Sequence, residues 1–235
     1  MSGMGEGFTK PLTTTRDFIE IFRRAISGEK TSMETETLRT RNFRLAIDPK
    51  ADLPIWLAAI NDRMLRLAGA IADGVFLTWC PPSEVQRKLE IVRSGAVAVG
   101  RDPSEIEVVL SFWGFEGGAE DVSLVRERCR RSVLAYAMVP THRAAFIQAF
   151  PTLGEAAAAW EVGDREKALG FTGDDVLDSM CAVGPPGVVS DRVGKYLDAG
   201  VDLPIVFVVG PGHSGSEPAL ETMRSTAKAL RLMPD

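Results

Sequence analysis

Histidine and cysteine are scarce in this sequence, and their scarcity excludes several kinds of site. The three cysteines, Cys80, Cys129 and Cys181, are far apart and odd in number, so we expect reduced thiols rather than disulfides or a metal site. His142 follows a proline at a predicted helix start and is interpreted as structural. His213 lies in a glycine-rich loop, where contact with a ligand is the less favoured alternative. No catalytic triad, metal-ligand set or carboxylate pair stands out, so no metal is predicted and the catalytic residues stay unknown.

Long apolar runs and an excess of basic residues are also missing. No run approaches the roughly 18–20 apolar residues that span a bilayer. The formal net charge is −5 and no basic stripe is present, so nucleic acid is not an expected partner. The first residues, MSGMGEGFTKP, show neither the basic nor the apolar region of a signal peptide. We therefore expect a cytoplasmic protein that does not associate with membranes.

What the chain does contain is an alternation of short apolar segments with segments of helical periodicity, which is typical of a parallel α/β fold. We predict strands at 53–59, 75–79, 106–113 and 203–209, the first of them covered on both faces. We predict helices at 11–27, 63–72, 83–100, 119–182, 188–199 and 216–231, the fourth broken near Pro140, Pro151 and Gly163. Residues 29–50 are polar and irregular, and Ser83 with Gln86 matches a capping box. Because no repeat or linker divides the chain, residues 1–235 are predicted to form a single domain.

Parallel α/β proteins bind ligands beyond the carboxyl ends of their strands, which directs attention to the turn after the first strand. Asn61, Asp62 and Arg63 stand there at the start of a helix. The first N–H groups of a helix have no partner within it and carry roughly half a positive charge together, so they favour an anion. Arg63 would add donors suited to a phosphate. The favoured alternative is that Asn61 or Asp62 simply caps the helix.

Two further positions at the same strand ends are candidates for a ligand site. Thr78 and Trp79 end the second strand and Trp113 ends the third. An aromatic side chain there flanks a flat ligand or fills the core, and we favour the core. The loop at 210–216 is a weak phosphate-loop candidate without the lysine of a Walker motif.

Three segments of the chain resemble the bacterial luciferase-like monooxygenase family, whose members are oxidoreductases that use a flavin or the deazaflavin F420. They are PIWLAAINDRMLRLAGAIADGVFLTW (54–79), EVQRKLEIVRSGAVAVGRDPSEIEVV (84–109) and VGPPGVVSDRVGKYLDAGVDLPIV (183–206). The resemblance implies an α/β chain of the (β/α)8 TIM-barrel class. It also implies a partial barrel here, with about four parallel strands that correspond to family strands five to eight. The first four βα units have no counterpart, and residues 1–9 are expected to be disordered.

The resemblance also implies a cofactor and its site. In the family the turn after the fifth strand binds the cofactor phosphate, and Ala58, Ala59, Ile60, Asn61 and Asp62 occupy that turn here, next to Arg63. Asn61-Asp62 replaces the usual Gly-Pro, which departs from the family pattern. Thr78 and Trp79 match the end of the sixth strand, which faces the cofactor. GRDPSEIEV and AGVDLP resemble the F420 branch, so F420 is expected, with reduced flavin mononucleotide (FMN) as the alternative.

The expected function is hydride or oxygen transfer between this cofactor and a small organic substrate. Two alternatives stay open: a non-catalytic cofactor-binding or interaction protein, and an inactive fragment of such an enzyme. Because half a barrel exposes its interior, we expect either a homo-oligomer or pairing with a missing half-barrel.

Overall fold

The computed structural model describes residues 10–47, 53–212 and 217–231. The segment 1–9, for which we expect disorder, and the candidate ligand residue His213 lie outside the described residues. The first described elements are a helix, α1 (Pro11–Ile26), and an antiparallel hairpin of β1 (Thr31–Glu34) and β2 (Arg39–Phe43). The expectation that residues 29–50 are irregular is therefore wrong, because a short polar hairpin pairs through its backbone and does not need an apolar pattern.

A parallel sheet organises the rest of the described chain. Its strands are β3 (Trp56–Ala58), β4 (Gly74–Thr78), β5 (Glu107–Glu116), β6 (Cys181–Gly184) and β7 (Leu203–Val208). The long strand β5 is central: β4 and then β6 pair with successive parts of one edge, and β7 pairs with the other edge. Strands β3, β4, β5 and β7 are the four expected from the sequence, and the α/β luciferase-like fold class is confirmed. The described strands form an open sheet and do not close into a barrel.

Helices connect the strands and lie on both faces of the sheet. They are α2 (Asp62–Ile71), α3 (Pro82–Val97), α4 (Ala119–Ala137), α5 (Pro140–Ala149), α6 (Thr152–Glu161), α7 (Arg165–Gly170), α8 (Asp174–Met180), α9 (Val188–Asp198) and α10 (Glu217–Ala229). Helices α2, α3 and α9 bury the face that carries Val75, Leu77, Leu110 and Phe112. Helices α4 to α8 enclose a second core around Phe115 and Leu153. Within the described ranges no helix is long and apolar enough to cross a membrane.

The opposite face of the sheet is left open at its two outer strands. Trp56 on β3 and Leu203 and Phe207 on β7 share this face by register and are 42%, 41% and 52% exposed. This is the face that points into the interior when such strands close into a barrel. We call the surface formed by Trp56, Leu203 and Phe207 the open face.

Three local expectations are wrong. Strand β3 has three residues and forms an exposed outer strand, so the predicted buried strand at 53–59 is shorter and less covered than its apolar composition indicates. Helix α3 begins after Pro81 without any side-chain cap, so Ser83 and Gln86 do not form a capping box. Residues 181–182, predicted as helix, belong to β6.

Two buried glycines set the distance between α2 and α3. A Cβ atom added to Gly69 would lie 1.9 Å from the carbonyl oxygen of Val92, and one added to Gly95 would lie 2.1 Å from that of Arg66. The two backbones are therefore in direct contact, and this contact places the first turn of α2 relative to the sheet.

Candidate functional site

An open pocket of about 620 Å³ lies at the carboxyl ends of β3 and β4. Its walls combine residues from α1, the β3–α2 turn, β4, α4 and α5. Seven of the eight residues expected at the cofactor site line it, namely Ala58, Ala59, Ile60, Asn61, Asp62, Arg63 and Thr78, together with Pro11, Leu12, Met64, Tyr136, Thr141 and His142. The mainly apolar walls and the few polar groups suit a flat organic ligand that carries a charged group.

The β3–α2 turn presents free N–H groups at the edge of this pocket. Asn61 is the N-cap of α2, and its side-chain oxygen accepts a hydrogen bond from the Met64 N–H at 3.1 Å, so the capping interpretation is confirmed. The cap satisfies only one donor. The backbone N–H groups of Asn61, Asp62 and Arg63 have no acceptor among the described residues. Capping and anion binding are thus compatible at this turn, because they use different N–H groups.

Of the two charged side chains at the turn, Asp62 is paired and Arg63 is not paired with any described residue. The Asp62 carboxylate accepts a hydrogen bond from Arg87 at 3.1 Å, and the same guanidinium binds Glu84 at 2.8 Å. The negative charge of Asp62, which would oppose an anion, is thereby offset. The exposed Arg63 side chain makes no hydrogen bond or ion pair with any described residue. Arg63 is therefore free to contact a ligand.

Two other helices that start at the same end of the sheet offer fewer free N–H donors to an anion. The N-cap of α3 is Pro81 and its first residue is Pro82, and proline has no N–H to donate. At α9 the buried carboxylate of Glu116 accepts hydrogen bonds from the N–H groups of Gly187 and Val189, both at 3.0 Å. Sequence reasoning missed Glu116, because its partners are more than 70 residues away in the chain. Of α2, α3 and α9, only α2 has three successive N–H groups at its start that have no acceptor among the described residues.

Trp79 lies behind the pocket rather than in its lining. It is 8% exposed and has a φ of 49°, and its ring packs against Trp113 and Tyr136 with centroids 5.1 Å and 5.0 Å apart. The interpretation of Trp79 as a core residue is confirmed. Trp79 would act on a ligand through Tyr136, which lines the pocket.

The far wall of the pocket comes from helices that the sequence did not connect with the site. Tyr136 lies in the last turn of α4, and Thr141 and His142 lie in the first turn of α5. The His142 ring lies parallel to the Tyr136 ring at 6.2 Å between centroids, and its buried Nδ1 atom has no hydrogen-bond partner among the described residues. His142 thus belongs to the pocket wall, whereas the sequence indicated only a structural role. No local pattern signals this placement, since it arises from the packing of α4 against β5 and β6 and of α5 against α4.

The remaining candidate loop is only partly described. Gly210 and Gly212 accept hydrogen bonds from the Arg128 guanidinium at 3.2 Å and 3.1 Å, which ties the start of the loop to α4. Among the described residues no group of three histidines, cysteines or carboxylates is arranged to hold a metal ion.

Comparison with known proteins adds to this geometry. The model of the luciferase-like monooxygenase family matches residues 1–203. The chain belongs to this family. The 5,10-methylenetetrahydromethanopterin reductase of Methanolobus tindarius is 28% identical over 203 residues, which cover 84% of this chain and 61% of the reductase. A phthiodiolone/phenolphthiodiolone dimycocerosates ketoreductase of Mycobacterium tuberculosis is 35% identical over 111 residues, which cover 43% of this chain and 28% of the ketoreductase.

Two solved structures superpose on this chain and show the same fold. The coenzyme F420 dependent tetrahydromethanopterin reductase of Methanopyrus kandleri superposes with a TM-score of 0.69 at 23% identity, over 91% of this chain and 61% of the reductase. An F420-dependent secondary alcohol dehydrogenase, solved with an F420-acetone adduct, superposes with a TM-score of 0.67 at 14% identity, over 96% of this chain and 65% of the dehydrogenase. The chain therefore spans about three fifths of the length of these relatives.

Proposed function

We propose that this chain carries the cofactor phosphate site of a cytoplasmic F420-dependent oxidoreductase, which acts on a small organic substrate, with reduced FMN as the alternative cofactor. The observation that carries the proposal is the pocket at the β3–α2 turn, where three backbone N–H groups and the Arg63 side chain have no partner among the described residues and lie beside apolar walls. The reductases and the dehydrogenase that the chain resembles support F420 in particular. We further propose that the chain is one domain, equivalent to the last four βα units of the family.

The residues present fit such a cofactor. The N–H groups of Asn61, Asp62 and Arg63 would hold the phosphate, and the Arg63 guanidinium would add charge-assisted hydrogen bonds. Ala58 and Tyr136 would border the attached flat group and exclude water from it. The bound cofactor supplies the hydride chemistry, while the protein supplies binding and orientation.

Titration of isotope-labelled protein with F420, followed through backbone amide shifts, tests the proposal. We expect the largest shifts at 58–63 and 78–79, because these residues surround the free N–H groups. FMN and riboflavin form a matched pair of ligands that differ only in the phosphate, so FMN should bind more tightly if the turn holds that group. Shifts confined to α6, α7 and α8, or equal affinities for FMN and riboflavin, would contradict the proposal.

The second candidate function is a non-catalytic cofactor-binding protein. The described pocket combines an anion site with mainly apolar walls, and the Nδ1 atom of its lining histidine, His142, has no described hydrogen-bond partner that would orient the ring for proton transfer; these observations favour binding alone. The two functions differ in the absorbance of bound F420 during incubation with secondary alcohols or reduced pterins. Oxidation or reduction of the bound cofactor supports the oxidoreductase, and stable binding without any absorbance change supports the second candidate.

We also propose that the open face is covered when the protein functions, either by a second copy of the chain or by four further βα units. Two observations support this proposal: Trp56, Leu203 and Phe207 are exposed apolar residues, and the outer edges of β3 and β7 pair with no other described strand. Parallel sheets are normally covered on both faces, since their strands are apolar on both sides.

A further inference from the structure

A buried lysine lies directly beneath the β3–α2 turn. Lys88 is on α3 and is only 5% exposed, which is rare for a lysine. Its ammonium group donates a hydrogen bond to the carbonyl oxygen of Ile60 at 2.8 Å. Lys88 therefore contacts the residue that leads from β3 into the N-cap of α2.

This hydrogen bond determines which way the turn presents its donors. In a trans peptide the C=O and the following N–H point in opposite directions. Because the Ile60 carbonyl is directed at the buried Lys88, the Asn61 N–H is directed away from Lys88. The Asn61 N–H has no acceptor among the described residues and precedes the free N–H groups of Asp62 and Arg63.

Lys88 also balances the charges beneath the turn. The charged groups that act on it are Asp62 on α2 and Glu84 and Arg87 on α3. Arg87 binds both carboxylates, so these three groups carry one net negative charge. The ammonium of Lys88 brings the sum to zero. Without that charge, Asp62, Glu84 and Arg87 would carry one net negative charge beneath the turn, which opposes the attraction of Arg63 for an anion.

We infer that Lys88 is a positioning residue for anion binding, which orients the Ile60–Asn61 peptide and neutralises the carboxylates beneath the turn. The inference rests on the proposed function, since it concerns the same phosphate site. It assigns to α3 a role in binding through contact with the turn rather than with the ligand.

The charge state of Lys88 should then control affinity. Burial lowers the pKa of Lys88 below its usual value. Burial raises the pKa of the neighbouring Cys80 thiol to about 12, so this thiol stays neutral over the range in which Lys88 loses its proton. A bound anion favours the protonated lysine. The affinity for the anion should therefore be highest at pH values below the pKa of Lys88 and should fall as the pH rises through this pKa.

The test compares the wild type with Lys88→Met and with the matched control Lys195→Met, which removes an exposed lysine on α9. F420 affinity is measured by calorimetry from neutral to alkaline pH. Titration of the ligand itself affects all three proteins equally. The ratio of a variant's affinity to that of the wild type therefore reports only the effect of the substituted lysine. We expect Lys88→Met to bind F420 about tenfold more weakly at neutral pH. This is the loss expected if anion binding raises the pKa of Lys88 by about one unit. The ratio should approach one at alkaline pH, and Lys195→Met should match the wild type throughout.

Amide shifts of the ligand-free wild type provide a second readout, which does not depend on F420 or on the folding of the variant. The shifts of Asn61, Asp62 and Arg63 should follow the titration of the Lys88 side chain. Shifts that ignore this titration would overturn the inference, as would a Lys88→Met protein with wild-type affinity and pH dependence. If the wild type does not bind F420 but these amides follow Lys88, the proposed function fails while the positioning of the turn by Lys88 is supported.

Discussion

Substituting Gly95 by alanine should separate α2 from α3 and displace the phosphate turn. The added Cβ would lie 2.1 Å from the Arg66 carbonyl oxygen and 2.9 Å from its carbon. A close C···O contact needs about 3.3 Å, so the helices must move apart by roughly 1 Å. The obstacle is backbone, which cannot rotate out of the way as a flexible side chain can.

Two effects of opposite sign decide the magnitude. Alanine in place of a helical glycine stabilises a helix by about 0.5–1 kcal/mol. Forcing extra volume into a close-packed contact costs about 1–3 kcal/mol and occasionally more. At Gly95 we expect the packing cost to exceed the gain, since the clash is with backbone. At Gly194 on α9 an added Cβ meets nothing within 4 Å, so alanine there should show the helix gain alone.

Thermal unfolding of Gly95→Ala and Gly194→Ala gives the comparison. Each kcal/mol shifts the melting temperature of a chain of this size by about 2–4 °C, so the two variants should move in opposite directions. Gly95→Ala should also bind F420 more weakly, because α2 carries the free N–H groups of Asp62 and Arg63. A Gly95→Ala protein that is as stable as Gly194→Ala would refute the close contact between α2 and α3 and the reasoning built on it.

Two further predictions concern the site and the open face. Arg63→Ala should weaken phosphate binding by about 1–3 kcal/mol, the scale of a hydrogen bond to a charged group, and should leave the melting temperature unchanged. Arg66→Ala removes a matched exposed arginine on α2 and should change neither the binding nor the melting temperature. If Arg63→Ala instead lost stability while its binding was unchanged, Arg63 would be a structural residue. Phe207→Asp should shift the sedimenting species to a smaller size, because a charge on the open face opposes its coverage. Leu197→Asp, at an exposed position of α9, should leave the size unchanged. A wild-type protein that sediments as a monomer without binding a hydrophobic dye would contradict the coverage of this face.

Much of the fold could be predicted from local patterns. The strands β3, β4, β5 and β7 follow from short apolar runs between helical segments, and this alternation specifies a parallel α/β sheet. The start of α2 could be placed at Asn61 because asparagine caps a helix through bonds within one turn. These features depend on residues that are neighbours in the chain, so the sequence is sufficient to predict them.

Other features escaped local reasoning for identifiable reasons. The β1–β2 hairpin is polar and shows no alternation, and its pairing depends on backbone hydrogen bonds. Strand β6 begins directly after α8 without a turn signal, and its pairing with β5 decides its conformation. Ser83 and Gln86 match the sequence pattern of a capping box. The box does not form, because α3 already begins at Pro82 with Pro81 as its N-cap.

The amino-acid sequence by itself determined that this chain folds into a parallel α/β structure with a helix N-terminus at 61–63. Only the tertiary structure decided which groups act at that point. Lys88 reaches Ile60 across 28 residues, Glu116 occupies the start of α9, and Tyr136 and His142 close the pocket from α4 and α5. The physical reason is that helix caps and strand patterns arise from short-range geometry, whereas the burial of a charge or the closure of a pocket requires elements that meet only when the chain folds.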